Sequence, residues 1–340
     1  MSWLDEALAC LAARPCCGYR ADVPPATEPT ALAAMALLAH GNRAAAETAL
    51  GWLTEIQSAD GSVPIDASQQ GPGWATGWAV LAWRTALSAM PLLAGRQAWA
   101  AAADRALRWV LATKGRALPQ SPLLGHDMSL QAWAWTDGSA SWVEPTAIQL
   151  LALKAAGLQS HHRSRTAVQL LRDRAVPSGG WNCGNKVVFG TPLRAHVQPT
   201  GLALAALVGE TSAEGEIRQA IGYLHKAISS STTTASLSCA LIGLAGHGGR
   251  PKPADAWLAA ACAKSLRNGA PPYALALAAL AALGPDCPWY AVGRVQGSGF
   301  RIQDSGFRIQ DSGFGVRRST RDVRSVIRDE YKMQNVKCKM

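Results

Sequence analysis

The stretch EPTAIQLLALKAAG, residues 144–157, decides the fold. Pro145 and Thr146 mark a helix start, because proline lacks the N–H that a first turn leaves unpaired and threonine can cap or bond within that turn. The residues that follow are apolar on most faces, which is typical of a buried helix. Similar runs open with EPTAL at residues 28–32, WATGW at 74–78 and QPTGL at 198–202. The sequence therefore predicts one buried helix repeated along the chain.

Amphipathic segments that carry most of the charges alternate with the buried helices. They are predicted over residues 3–13, 43–56, 96–112, 162–173, 214–228 and 254–266, and two further buried helices over 234–245 and 272–283. Two concentric layers require this alternation, with the inner helices covered and the outer helices wetted on one side. We predict an all-α fold over residues 1–290, an α/α toroid of about six helix pairs. An open solenoid would bury its inner helices in the same way, so the pattern alone leaves closure open.

The composition agrees with a helical fold and adds one unusual feature. The 340 residues are 49% apolar, with alanine and leucine dominant, which favours helix over strand. There are 13 tryptophans against four phenylalanines and five tyrosines. Core filling is one explanation. An aromatic-lined cavity is the other, because an indole offers a broad π face to apolar or cationic groups.

The positive charge is concentrated at the end of the chain. Of the formal net charge of +10, residues 291–340 carry +6, so the rest is nearly balanced and no nucleic-acid partner is predicted. The heptapeptide SGFRIQD occurs at residues 298–304 and again at 305–311. It has no helical hydrophobic pattern. We therefore predict a low-complexity, disordered or irregular tail over residues 291–340.

The cysteines and the start of the chain bear on localisation. Eight cysteines without a CxxC pair are typical of reduced thiols in a cytoplasmic protein. The opening residues MSWLDEALAC lack a signal-peptide pattern, and no apolar run reaches the roughly 18 residues of a membrane-spanning helix. We expect a cytoplasmic protein and leave peripheral membrane contact and oligomeric state open.

Glycine-containing turns lie between the amphipathic and the buried helices. They read QSADGSV at residues 57–63, WTDGSASW at 135–142 and PSGGWN at 177–182. These turns resemble the Gln-x-x-x-Gly-x-Trp repeats of squalene and hopene cyclases and the related repeats of protein prenyltransferase β subunits. The resemblance implies the ring, with Trp142 and Trp181 tying adjacent helix pairs together. It also implies a central cavity for an isoprenoid or another elongated apolar molecule.

The chain departs from this family in its catalytic motifs. It has no Asp-x-Asp-Asp acid, no aspartate-rich Mg²⁺ cluster, and only an adjacent Asp286 and Cys287 where the prenyltransferase zinc pattern has one residue between them. We predict no metal and no cofactor, and leave catalysis open. A non-catalytic binding or scaffold protein is one alternative. A polysaccharide-processing enzyme, with Asp127 and Asp137 as a carboxylate pair and tryptophans stacked on sugars, is another.

The candidate site residues lie near the predicted entrances of inner helices. Asp127 or Asp137 is the candidate general acid and His196 its partner or base, whereas helix capping and turn formation are the alternative roles. Glu144 at the same entrances is also ionisable. The candidate ligand-binding residues are Trp74, Trp78, Trp133, Trp135 and Arg194, and Trp78 is the best lining candidate because Gly77 beside it leaves space.

Overall fold

A computed structural model of the protein describes residues 2–69, 71, 73–90, 95–121 and 124–290. These residues form twelve α-helices in six pairs. The outer helices are α1 Trp3–Ala13, α3 Arg43–Glu55, α5 Arg96–Ala112, α7 His162–Arg174, α9 Glu214–Ala227 and α11 Ala254–Arg267. The inner helices are α2 Thr27–Ala39, α4 Thr76–Ala89, α6 Val143–Ala155, α8 Val197–Ala206, α10 Thr234–Gly246 and α12 Pro272–Ala282.

The inner helices form a closed ring. Each contacts the next one in chain order, from α2 through α4, α6, α8 and α10 to α12, and α12 returns to pack on α2. The outer helices cover this ring. The predicted all-α fold with six pairs in two layers is confirmed, and the ends predicted for the amphipathic helices and for α10 and α12 lie within one residue of the observed ends.

The helices of the two layers differ in how many of their residues are buried. Eleven of the 13 residues of α2 are buried, whereas three of the 14 residues of α9 are. An inner helix contacts neighbours on both sides and an outer helix behind it, so it needs apolar residues on every face. An outer helix needs them on one stripe only.

A threonine in the first turn of four inner helices ties each helix to the loop before it. The Thr200 hydroxyl accepts a hydrogen bond from the backbone N–H of Trp181 at 2.9 Å and donates to its carbonyl oxygen at 3.0 Å. Three other threonines bond both backbone groups of one residue in the same way: Thr30 with Cys17, Thr76 with Val63, and Thr146 with Trp133. The repeated threonine therefore has a structural role beyond helix initiation.

Besides the helices, the described residues include one short β-hairpin. An antiparallel hairpin of β1 Val187–Val188 and β2 Thr191–Pro192 lies between α7 and α8. The tail predicted over residues 291–340 lies outside the described residues. Within the described ranges, no helix is both long and apolar enough to cross a membrane.

Candidate functional site

Two tryptophans tie outer helices to the loops that follow them. The indole N–H of Trp181 donates to the carbonyl oxygen of Leu171 at 2.6 Å, and that of Trp133 donates to Val110 at 2.9 Å. Leu171 and Val110 lie in the last turns of α7 and α5. The Trp181 bond thus joins α7 to the loop that leads into α8, and Trp133 makes the equivalent bond one repeat earlier. Trp142 is the N-cap residue of α6. The tie between adjacent helix pairs predicted for Trp142 and Trp181 stays a prediction.

Asp127 lies in a turn beside the outer helix α7. Its carboxylate accepts hydrogen bonds from the backbone N–H of Ser129 at 2.8 Å and from the Ser129 hydroxyl at 2.6 Å. Its backbone N–H donates to the carboxylate of Asp173 at 3.0 Å, and its carbonyl oxygen accepts from buried Arg174 at 3.1 Å. These contacts match the turn-forming alternative for Asp127.

His196 and Arg194 lie on the exposed segment that enters α8. His196 is the N-cap residue of α8, and its backbone N–H donates to the carbonyl oxygen of Trp181 at 2.8 Å. The carbonyl oxygen of Arg194 accepts a hydrogen bond from the Asn182 side chain at 3.2 Å. The backbone of this segment is therefore fixed. The predicted roles of the two side chains toward a ligand stay predictions.

Four of the predicted site residues meet in one small pocket between α4, α5 and α6. This tryptophan pocket is lined by Trp74, Trp109, Trp133, Trp135, Asp137 and Gln149, among others, and encloses about 20 Å³. Trp74 and Trp135 meet edge to face, with ring centroids 4.8 Å apart. Trp109 and Gln149 were not predicted. Gln149 is the lone polar residue in the apolar run 147–153, which is the signal that could have identified it.

Trp78 packs inside the ring against a tryptophan that the sequence patterns did not select. Its ring centroid lies 4.9 Å from that of Trp289, and both residues are 2% exposed. Trp289 belongs to the short 3₁₀ turn Pro288–Tyr290, which contacts α6 and α8. Because α4, α6 and α8 all surround this turn, the two indoles fill part of the ring interior.

Side chains from several inner helices converge at one end of the ring. The axial cluster comprises Tyr19, Glu28, Glu144, Gln198 and Tyr273; all but Tyr19 are the second residue of their helices, α2, α6, α8 and α12. The Gln198 amide donates to the Tyr273 hydroxyl at 2.8 Å. Since α8 and α12 are separated by α10, this bond crosses the ring interior. We call this end, where the first turns of these helices meet, the mouth.

The electrostatics of the axial cluster are acidic. The Tyr19 hydroxyl donates to the Glu28 carboxylate at 2.6 Å, and the rings of Tyr19 and Tyr273 lie 5.3 Å apart. Burial, with Glu28 and Glu144 adding to it, raises the pKa of both tyrosines well above the usual value. Burial also raises the pKa of the Cys239 thiol on α10, and the same two glutamates add to that shift. The carboxylates of Glu28 and Glu144, on different helices, therefore contribute to the raised pKa of the same two tyrosines and of one cysteine.

The mouth is partly exposed to solvent. Tyr19 keeps 37% of its surface exposed, and burial of the rest of the side chain is the largest cause of its raised pKa. Glu28, Glu144, Gln198 and Tyr273 are half-buried. Among the described residues, no group of three or more His, Cys, Asp or Glu side chains could hold a metal ion.

Comparisons with known proteins add little to this geometry. No family model matches the chain, and no curated protein matches it. A solved structure described as a protein from Actinoplanes is 20% identical and covers 78% of this chain and 80% of its own, with a TM-score of 0.47. This similarity carries no information about function.

Proposed function

We propose that this protein binds a small organic cation at the mouth of the ring. The proposal is carried by the placement of Glu28 and Glu144, each the second residue of an inner helix whose first turn lies at the mouth, with the Glu28 carboxylate 2.6 Å from the Tyr19 hydroxyl. Within the described part of the chain, the charged side chains that shift the pKa of Tyr19 and Tyr273 are acidic. A half-enclosed opening lined by one sign of charge attracts ligands of the opposite sign, and tyrosine faces add cation–π attraction.

The same charges disfavour an anionic substrate at the mouth. A prenyl diphosphate would bring several negative charges next to two carboxylates, and like charges in close contact cost free energy. We therefore place no diphosphate there. A neutral sugar, as in the polysaccharide alternative, would gain hydrogen bonds at the mouth but no charge attraction.

A neutral isoprenoid, which the resemblance to the cyclases implies, is a second candidate. It is favoured by the apolar groups in the ring interior, Trp78, Trp289 and Cys239. Glu28 or Glu144 would then replace the missing Asp-x-Asp-Asp acid, and the positive charge would be a carbocation formed during the reaction. An elongated molecule would need the turn at Trp289 to move, because that indole fills part of the interior.

Choline and its neutral isostere 3,3-dimethylbutan-1-ol separate charge from shape. Calorimetric titration at low salt should show saturable binding of choline that is at least about tenfold tighter than binding of the alcohol. The double variant Glu28→Gln, Glu144→Gln should remove this preference. The matched control is Glu214→Gln, since Glu214 is exposed on α9 and pairs with Arg218. It should bind choline as the wild type does.

Other outcomes decide against the proposal. Equal binding of choline and the alcohol, or choline binding that survives in the double variant, would contradict a cation site at the mouth. Incubation with squalene, followed by lipid extraction and mass spectrometry, tests the second candidate. A cyclised product that is lost in Glu28→Gln or Glu144→Gln would favour the isoprenoid, and no product would count against it.

A further inference from the structure

We infer that Trp289 determines the length of the ligand that the mouth accepts. This inference rests on the cation site proposed above and adds its size limit. Trp289 closes the ring interior within about one helical turn, roughly 5 Å, of the start of the inner helices. The mouth is then a shallow site for a cation with small substituents, and a long alkyl chain on that cation finds no space below it.

The turn that carries Trp289 enters the ring from the end opposite the mouth. It follows α12, and the phenol ring of Tyr290 lies against Gly246, the last residue of α10, where a Cβ would be 2.8 Å from that ring. The Tyr290 hydroxyl donates to the carbonyl oxygen of Ile242, one turn earlier in the same helix. Because the inner helices begin at the mouth, these contacts place Tyr290 toward the far end of the ring.

The side chain of Trp289 extends the other way, toward the mouth. Its indole packs on Trp78, the third residue of α4, with ring centroids 4.9 Å apart. A helical side chain leans toward the start of its helix, so the Trp78 indole lies at the level of the first turn of α4. The side chains of Tyr290 and Trp289 therefore span the interior, and the Trp289 indole is the part nearer to the mouth.

The residues below the mouth are shielded from solvent. Trp78, Cys239 and Trp289 are 2%, 3% and 2% exposed. Burial raises the pKa of the Cys239 thiol, and both glutamates of the mouth as well as Cys287, next to the turn, add to that shift. Cys239 is therefore close to the axial cluster and to the turn. Its side chain and the two indoles occupy the space that a ligand chain would need.

Trp289 is the residue that can be shortened while the ring stays closed. It belongs to a three-residue turn, whereas ring closure is made by α12 on α2. Within the described residues, its indole N–H has no hydrogen-bond partner, so the side chain acts through packing. Trp78, by contrast, belongs to a helix of the ring. Truncating Trp289 should open space below the mouth and leave the inner helices in place.

Alkyltrimethylammonium ions of different chain length test this inference by calorimetric titration at low salt. The wild type should bind octyltrimethylammonium no more than about threefold tighter than tetramethylammonium. In Trp289→Ala, the octyl compound should bind at least about tenfold tighter, because each methylene buried in the vacated space contributes about fourfold. Trp257→Ala is the matched control, since Trp257 is partly buried on the outer helix α11. It should keep the wild-type pattern.

The neutral compound 1-octanol separates this inference from the cation site, because it has the same chain without the charge. It should bind Trp289→Ala and not the wild type, whether or not the mouth prefers cations. Wild-type binding of tetramethylammonium, with no gain for either octyl compound in a folded Trp289→Ala variant, would overturn the inference and leave the cation site standing. Wild-type protein that binds octyltrimethylammonium about tenfold tighter than tetramethylammonium would overturn it too. Trp289→Leu should show a smaller gain and replaces Trp289→Ala if that variant fails to fold.

Discussion

Replacing Gly201 with alanine should destabilise the protein by about 3 kcal/mol or more, measured as the free energy of unfolding in urea. Gly201 lies where α8 crosses α10. A Cβ there would lie 2.3 Å from the carbonyl oxygen of Cys239, and a Cβ on Gly243 would lie 2.4 Å from the carbonyl oxygen of Gly201. The obstructing atoms belong to the backbone, so the two helices would have to move apart and disturb the ring.

Gly222→Ala is the matched control, and its effect on the free energy of unfolding should have the opposite sign. Gly222 is an exposed residue in the interior of α9, and a Cβ there meets nothing within 4 Å. Alanine should stabilise this helix by roughly 0.5–1 kcal/mol because it is the better helix former. If both variants change stability by the same amount, helix propensity rather than the close crossing governs Gly201, and the described packing of α8 on α10 is wrong.

Arg163→Met should cost about 3 kcal/mol or more in the free energy of unfolding. Arg163 is 7% exposed and its guanidinium bonds three carbonyl oxygens of the long segment between α5 and α6. The distances are 2.6 Å to Gln131, 2.6 Å to Thr113 and 3.2 Å to Ala132. Methionine replaces the aliphatic stem but leaves these carbonyls without their donor. Arg163→Lys should restore only part of the stability, since one ammonium cannot reproduce the guanidinium fork.

Arg165→Met provides the comparison for this effect. Arg165 lies on the exposed face of the same helix and donates to one carbonyl oxygen, that of Ser160. Its replacement should change stability by less than about 0.5 kcal/mol. A loss in Arg163→Met no larger than that in Arg165→Met would show that the segment between α5 and α6 is held by other contacts.

The helices were predictable because their signals are local. An apolar run after Pro145 and Thr146, or a charged stripe such as that of residues 96–112, specifies one helix and its layer without reference to the rest of the chain. The closure of α12 on α2 is a contact between the two ends of the ring. No local pattern distinguishes it from an open solenoid.

The site was less predictable because its contacts are distant in sequence. The bond between Gln198 and Tyr273 joins residues 75 positions apart, and the motif that contains Gln198 indicates only a helix start. The bond made by Trp133 was not predicted. Trp133 lies before the glycine turn, in the irregular segment before α6, whereas the family pattern places the tryptophan after that turn. Glu28 and Glu144 share one position in the repeat, and that shared position was the available signal for the mouth.

The convergence of Glu28 and Glu144 on one pair of tyrosines is the central claim. It is tested most directly by titrating ¹³C-labelled tyrosine by NMR in the wild type and in Glu28→Gln and Glu144→Gln. Each single substitution should lower the pKa of Tyr273, and the two together should lower it further, because each removes a negative charge that opposes ionisation of the hydroxyl. A folded Glu144→Gln variant in which the pKa values of Tyr19 and Tyr273 are both unchanged would contradict the acidic mouth.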